Sequence, residues 1–343
     1  MKEQFGVIGA GGWGTAIANL LAGKGYPVSL WVYEKDLCRE IERRRRNTLY
    51  LPGIRLSEGI TPTTSLREAV KGRQILVTAS PSHVIRRVVK KAVPYLHPRA
   101  IFVSASKGIE DKTLLTVSQV LKEILPSRFH SRVTVISGPS FAQEVARRIP
   151  TAVVIAAKEP AVARRVQELF RTPYFRTYTS PDVIGVELGG ALKNVVALAA
   201  GVSDGLGLGF NTRAALMTRG LAEITRLGVK MGANPLTLSG LAGAGDLILT
   251  CTGDLSRNRT VGIKLGKGMK IKEILSRMKM IAEGVKTAKS AYELSRRYQV
   301  EMPITEQVYL ILYRNKKPER AVSDLMGRDL KTELEKVNIM KGG

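Results

Sequence analysis

The stretch GVIGAGGWGTAIANLL, residues 6–21, limits what this chain can fold into more than any other. Gly9, Gly11 and Gly14 follow a short β-branched run and open a helical pattern. Strand, glycine turn and helix in that order make the phosphate-binding half of a βαβ unit. The glycines permit a tight turn, close approach of backbone to a pyrophosphate and close packing of helix on strand. The helix N-terminus adds unpaired N–H groups and the positive end of a dipole. The plainer alternative is a tight turn with no ligand, and the surrounding βαβ pattern weighs against it.

Glu34 lies twenty residues beyond Gly14, at the end of the second expected strand. A carboxylate there accepts hydrogen bonds from the ribose hydroxyls of NAD and repels a 2′-phosphate. Lys35 and Arg39 stand close by with the opposite sign. The expectation is a dinucleotide, NAD rather than NADP. Further β-branched runs predict strands at 28–32, 75–79, 101–105, 133–137, 152–157 and 174–178, besides the first at 5–9. Helical patterns fill 13–24, 82–92, 113–125 and 161–170. Such alternation predicts a parallel sheet covered on both faces.

The segment TSPDVIGVELGGALKNVVALAAG then begins a helical regime. Ser180 suits an N-cap, Pro181 a first helical position, and Asp182 complements the helix dipole. We therefore expect a sheet domain over 1–179 and an all-helical domain over 180–343. A chain of 343 residues is long enough for two cores.

Composition excludes rather than assigns. Cys38 and Cys251 are too few for a disulfide framework and lack metal-ligand spacing, so a reducing cytoplasm is expected. The first strand starts a few residues after Met1, which is expected to leave no room for a signal peptide. No stretch is expected to supply the ~20 apolar residues of a membrane span. Lys and Arg number 54 against 29 Asp and Glu, a net charge of +25 that draws in anions. Basic pairs are scattered without interleaved aromatics, and Arg43–Arg46 reads as a solvated helix end. Nucleic acid is not an expected partner. His83, His97 and His130 show no metal or triad spacing, so no metal is expected.

Chemistry concentrates in the second half. In GALKNVVALAAG, Gly189, Gly190, Ala197, Ala200 and Gly201 share a helical face with Lys193. Small residues there leave room for a ligand or another backbone; the alternative is a lysine snorkelling to water. Both readings stand on pattern alone. A buried lysine is a competent proton donor or acceptor. Downstream, Gly243, Gly245 and Asp246 suggest a flexible turn ending in a carboxylate. Ser256 caps a helix with Arg257 and Asn258 in its first turn, which is either a phosphate site or a plain capped helix. SASKGIE places Lys107 after a strand, and SGPSFAQEVA places Gly138 and Ser140 in a turn before a helix. Both sit at carboxyl ends of strands, where open α/β sheets bind ligands.

These segments, together with NTLYLPG, PSHVIR, SGLAGAGDLILTC, SRNR and AEGVKTA, closely resemble the NAD(P)-dependent glycerol-3-phosphate dehydrogenases along nearly the whole chain. The resemblance implies a Rossmann-type doubly wound sheet followed by an all-helical substrate domain. It implies interconversion of dihydroxyacetone phosphate and sn-glycerol 3-phosphate with NAD or NADP, feeding glycerophospholipid synthesis, by a cytoplasmic homodimer. Lys193 becomes the acid/base, held and polarised by Asp246 and Asn194. Lys107, Gly138 and Ser140 fall at substrate-contact positions, Lys107 within the catalytic set and at a cofactor position too. Ser256, Arg257 and Asn258 match contacts to the substrate phosphate. Arg257 also matches a cofactor contact, and Gly12, Trp13, Tyr50, Ala142, Ile281 and Glu283 fall at further cofactor positions.

Two departures bear on the cofactor. Many bacterial members have serine at Gly12, and often an arginine after the second strand where this chain has Tyr33 and Glu34. The second departure favours NAD. A second enzymatic reading is a related two-domain dehydrogenase with a carboxylate substrate. A third is a nucleotide-sensing protein that uses its charge on nucleic acid or an acidic membrane, where a peripheral contact would be steeply salt-dependent.

Overall fold

The computed structural model describes residues 2–278 and 282–333. The chain divides into two compact units, Met1–Glu187 and Leu188–Gly343.

The first unit is built on one sheet. Its strands are β1 (Phe5–Ile8), β2 (Val28–Trp31), β3 (Ile60–Thr63), β4 (Ile75–Thr78), β5 (Ile101–Ser104), β6 (Val133–Ser137), β7 (Thr151–Ala157) and β8 (Phe175–Ser180). They lie in the order β3-β2-β1-β4-β5-β6-β7-β8. Between them run α1 (Gly12–Gly23), α2 (Lys35–Arg44), α3 (Leu66–Val70), α4 (Ser82–Ala92), α5 (Val117–Ile124), α6 (Ala142–Ala146) and α7 (Pro160–Phe170). Successive strand residues alternate between two cores, as the period of two requires. Val7, Val77 and Val103 face a core closed by α1, α2 and α7. Ile8, Leu76 and Phe102 face the one closed by α3, α4 and α5. Each large buried side chain stabilises the sheet by roughly 1.5–3 kcal/mol.

The sheet departs from the sequence reading in two places. β7 runs antiparallel to β6. A parallel return needs a crossover long enough to carry the chain back along the sheet. Here the connection holds only the five-residue α6, and the chain turns round instead. The pattern also passes over β3, because Pro62 argues against a strand. β3 is an edge strand paired only with β2, so Pro62 is tolerated there.

The second unit is helical among its described residues. α8 (Val183–Gly205) begins just before its first residue, Leu188. Then come α9 (Gly209–Lys230), α10 (Pro235–Ser239), α11 (Asp246–Thr252), α12 (Arg257–Gly266), α13 (Ile271–Ser276), α14 (Glu283–Arg297), α15 (Pro303–Arg314) and α16 (Pro318–Met326). α8 is capped by Asp182, whose Oδ1 accepts the Gly185 N–H at 2.8 Å, not by Ser180, which ends β8. At 23 residues α8 is long and apolar enough to cross a membrane, contrary to expectation, but it is a core helix with nearly nine-tenths of that stretch buried.

α8 and α12 touch backbone to backbone. A Cβ on Gly201 or Gly205 would strike the carbonyls of Arg259 or Ile263; one on Gly262 or Gly266 would strike those of Leu198 or Val202. Asp204 ties the crossing together, pairing with Arg213 at 2.5 Å and Arg259 at 2.7 Å. Gly262→Ala is expected to destabilise the protein by about 1–3 kcal/mol, read from the urea midpoint. Gly23→Ala, at a helical glycine with open space around it, is expected to be neutral or stabilising by up to ~1 kcal/mol.

Glu223 on α9 is buried and accepts from the backbone N–H groups of Ile304 (2.6 Å) and Thr305 (3.1 Å), capping α15 from a distance. Burial lifts its carboxyl from 4.5 to about 7, against the pull of those donors and of Arg226. The native state therefore holds a proton that the unfolded chain has already released. This stabilisation is complete below pH 4.5 and disappears as pH rises to about 7, a change of about 3 kcal/mol. Glu223→Gln is expected to flatten that part of the stability–pH curve relative to wild type, measured by denaturant melts at pH 4.5, 6 and 8.

Candidate active site

In the first unit the three glycines have separate geometric duties. Gly9 turns the chain after β1 at φ +117°, and a Cβ on Gly14 would strike the Gly9 carbonyl. Gly11, the N-cap of α1, has no atom within 4 Å of where its Cβ would lie. One glycine bends, one packs helix on strand, and one faces open space. The first turn of α1 has no side-chain cap. The buried indole N–H of Trp13 in that turn has no partner among the described residues. Gly12 does more than omit a hydroxyl, because a Cβ there would come within 2.8 Å of the Tyr50 carbonyl oxygen. Ala142 Cβ lies 3.7 Å from the same point. An open helix start with donors and no local acceptor suits a pyrophosphate.

Glu34 is the N-cap residue of α2, but its side chain makes no cap bond. Its Oε1 instead accepts from Tyr50 Oη at 2.7 Å. Burial and that carboxylate push the Tyr50 phenol up to about 12, so it remains a donor throughout the physiological range. Arg39 is paired with Asp36 on the surface. Further along the sheet, Lys107 Nζ (3.1 Å) and Ser140 Oγ (2.9 Å) both donate to the carbonyl of Gly138. Gly138 has φ +144°, and its Cβ would press on Val153 of β7. The two strand-end loops thus converge at one carbonyl.

In the second unit Lys193 does not snorkel. It is 7% exposed, and its ammonium donates to Asp246 and, at 2.8 Å, to Thr250 Oγ1. The small residues beside it admit backbone: a Cβ on Gly189 would strike the Ala242 carbonyl. Leu241–Gly245 is a π-helical turn running directly into α11, not a flexible loop. Gly243 lets it close on Leu238. Turns of this type concentrate at functional sites, and this one delivers Asp246 to Lys193.

Asn194, next to Lys193, accepts from Asn258 Nδ2 at 2.8 Å, and Asn258 Oδ1 accepts the Gly284 N–H at 3.0 Å. Ser256 caps α12 by accepting from Arg259 N. Glu283, first residue of α14, is a charge partner of Arg257. Ile281 lies outside the described residues. Thr250 escaped the sequence reading, although it stands one helical turn after Asp246. Cys251 beside it is buried, which pushes its thiol up to about 12. Among the described residues no cluster of His, Cys, Asp and Glu could hold a metal.

A phosphate-cradling turn on a doubly wound sheet, followed by helices that bury a lysine–aspartate pair, defines a two-unit dinucleotide-dependent dehydrogenase. Models of the NAD-dependent glycerol-3-phosphate dehydrogenase N-terminus and C-terminus match residues 4–163 and 182–323. The chain belongs to the NAD-dependent glycerol-3-phosphate dehydrogenase family. It is 60% identical over 333 residues to a Geobacter sulfurreducens protein named glycerol-3-phosphate dehydrogenase, NAD(P)+, covering 97% of this chain and 99% of the relative. A Syntrophobacter fumaroxidans protein of the same name is 59% identical, with 96% and 97% covered. The crystal structure of glycerol-3-phosphate dehydrogenase from Coxiella burnetii superposes with a TM-score of 0.91 at 38% identity, with 95% and 99% covered.

Gly14→Ala is expected to weaken dinucleotide binding at least about tenfold in a fluorescence titration with NADH, while circular dichroism reports a folded chain. Undiminished affinity would show that the turn holds no dinucleotide.

Proposed function

We propose that the protein interconverts dihydroxyacetone phosphate and sn-glycerol 3-phosphate, with NADH preferred over NADPH, and that its product supplies glycerophospholipid synthesis. The observation that carries this reading is the buried Lys193 ammonium, fixed by Asp246 and Thr250. When bound, the nicotinamide supplies hydride in one direction and takes it back in the other. Lys193 gives its proton to the oxygen that becomes an alkoxide at the reduced carbonyl, and recovers it in reverse. Asp246 keeps the lysine aimed; Thr250 limits its rotation. Ser256, Arg257 and Asn258, at the start of α12, take the substrate phosphate with backbone donors, helix dipole and guanidinium acting together. Lys107, Gly138 and Ser140 contact substrate in the same reading.

Residues 1–179 act as the dinucleotide-binding domain and 180–343 as the substrate domain. The glycine turn and Trp13 hold the pyrophosphate, Ala142 packs beside them, and Glu34 takes the ribose hydroxyls. Arg257, Ile281 and Glu283 belong to the cofactor contacts. The free thiols of Cys38 and Cys251 support a cytoplasmic location. A homodimer is the proposed assembly, to be read from light scattering after gel filtration.

The decisive assay is dihydroxyacetone-phosphate-dependent oxidation of NADH and NADPH side by side. NADH-preferring activity is expected; activity confined to 2-keto carboxylates would overturn the substrate assignment. Lys193→Met is expected to lower kcat about 10²–10⁴-fold. Arg257→Ala is expected to raise KM for the phosphate substrate about tenfold or more with a smaller change in kcat.

A further inference from the structure

Asn47 is fully buried, yet all its polar side-chain atoms are bonded to pieces of the cofactor-binding unit. Its Nδ2 donates to the Ala10 carbonyl of the glycine turn and to Thr15 Oγ1 on α1, both at 2.8 Å. Its Oδ1 accepts the Tyr50 N–H at 2.9 Å, and its own carbonyl accepts from Leu51 N at 2.9 Å. Leu51, which closes this short bridge, is fully buried. The loop is thus pinned from below and at its far end, and Tyr50 leaves it toward Glu34.

We propose that Asn47, Tyr50 and Glu34 form a single selecting device, in which Asn47 and Tyr50 are positioning residues that fix the Glu34 carboxylate against 2′-phosphorylated dinucleotides. The inference rests on the proposed NADH preference and names how that preference is enforced. A glutamate at a strand end has three rotatable side-chain bonds and can swing toward solvent. A mobile carboxylate would admit a 2′-phosphate by moving aside. The phenol prevents this by holding Oε1 in a charge-assisted bond. Glu34 is only half-buried, and its carboxylate keeps further lone pairs with which to accept ribose hydroxyls. Asn47 sets the reach of the loop from the same turn that receives the pyrophosphate, so both ends of the adenosine diphosphate half are gauged from one origin.

The test is calorimetric titration of the full chain with NADH and with NADPH, independent of any substrate. Wild type, Tyr50→Phe, Glu34→Gln and the double variant are compared, with Asn47→Ser as a second route to the same loop. Wild type is expected to favour NADH. Tyr50→Phe is expected to lower the NADH-to-NADPH affinity ratio about tenfold, chiefly by strengthening NADPH. The double variant is expected to lose no more discrimination than Glu34→Gln alone, and Asn47→Ser to shift the ratio in the same direction. Equal weakening of both dinucleotides by Tyr50→Phe would reduce Tyr50 to loop packing and overturn the proposal. Additive losses in the double variant would do the same. A wild type that favours NADPH would overturn the NADH reading itself, and the selecting device with it; an NADH-favouring wild type with an unmoved Tyr50→Phe ratio would overturn the device alone.

Discussion

A buried ammonium must be compensated or it neutralises, and the helical unit is organised around that constraint at Lys193. Desolvating an ion costs several kcal/mol unless a partner of opposite sign lies at hydrogen-bond distance. Asp246 is that partner, and the chain between them has to bring a carboxylate 53 residues away to one point on α8. The glycines of the π-helical turn allow the approach, and Thr250 completes the ammonium's surroundings from the following helical turn. In its proposed role as proton donor, the lysine must be held in position before substrate arrives, and burial with a fixed partner supplies that.

Other buried ionisable groups in the molecule take backbone donors as partners. Glu187 accepts from Ser118 N at 2.7 Å and Ser118 Oγ at 2.5 Å, at the start of α5. Burial raises its carboxyl while those donors pull the other way. Glu223 does for α15 what Glu187 does for α5. In each case a carboxyl group carried on one helix accepts from the orphan N–H groups of another. The arrangement fixes two elements with a single desolvated group.

Much of the first unit was legible because its signals are local. Four-residue β-branched runs, a glycine turn and a helix start can each be read from neighbouring residues, and the strands fall where those runs are. Strand direction was not legible: nothing in TAVVIAA encodes whether β7 runs with or against β6, since the preceding connection decides it. Pro62 hid β3 because its tolerance depends on lying at an edge, a property of the whole sheet. Lys193 stood out as a lysine among small residues, but its surroundings stayed open because Asp246 and Thr250 are remote in sequence. Asn47 lay inside the matching segment NTLYLPG, but nothing local marked its role: a polar residue there reads as loop until the fold places it beneath the glycine turn.

The crossing of α8 and α12 has a consequence for heredity. Gly201, Gly205, Gly262 and Gly266 hold the two backbones in contact because none has a side chain. Every amino-acid replacement reachable from a glycine codon by one base change adds atoms, and at these sites the added atoms meet a carbonyl of the facing helix. No neighbouring genotype offers a smaller residue as a stepping stone. The crossing therefore cannot loosen without loss: each first step away from glycine costs stability at once.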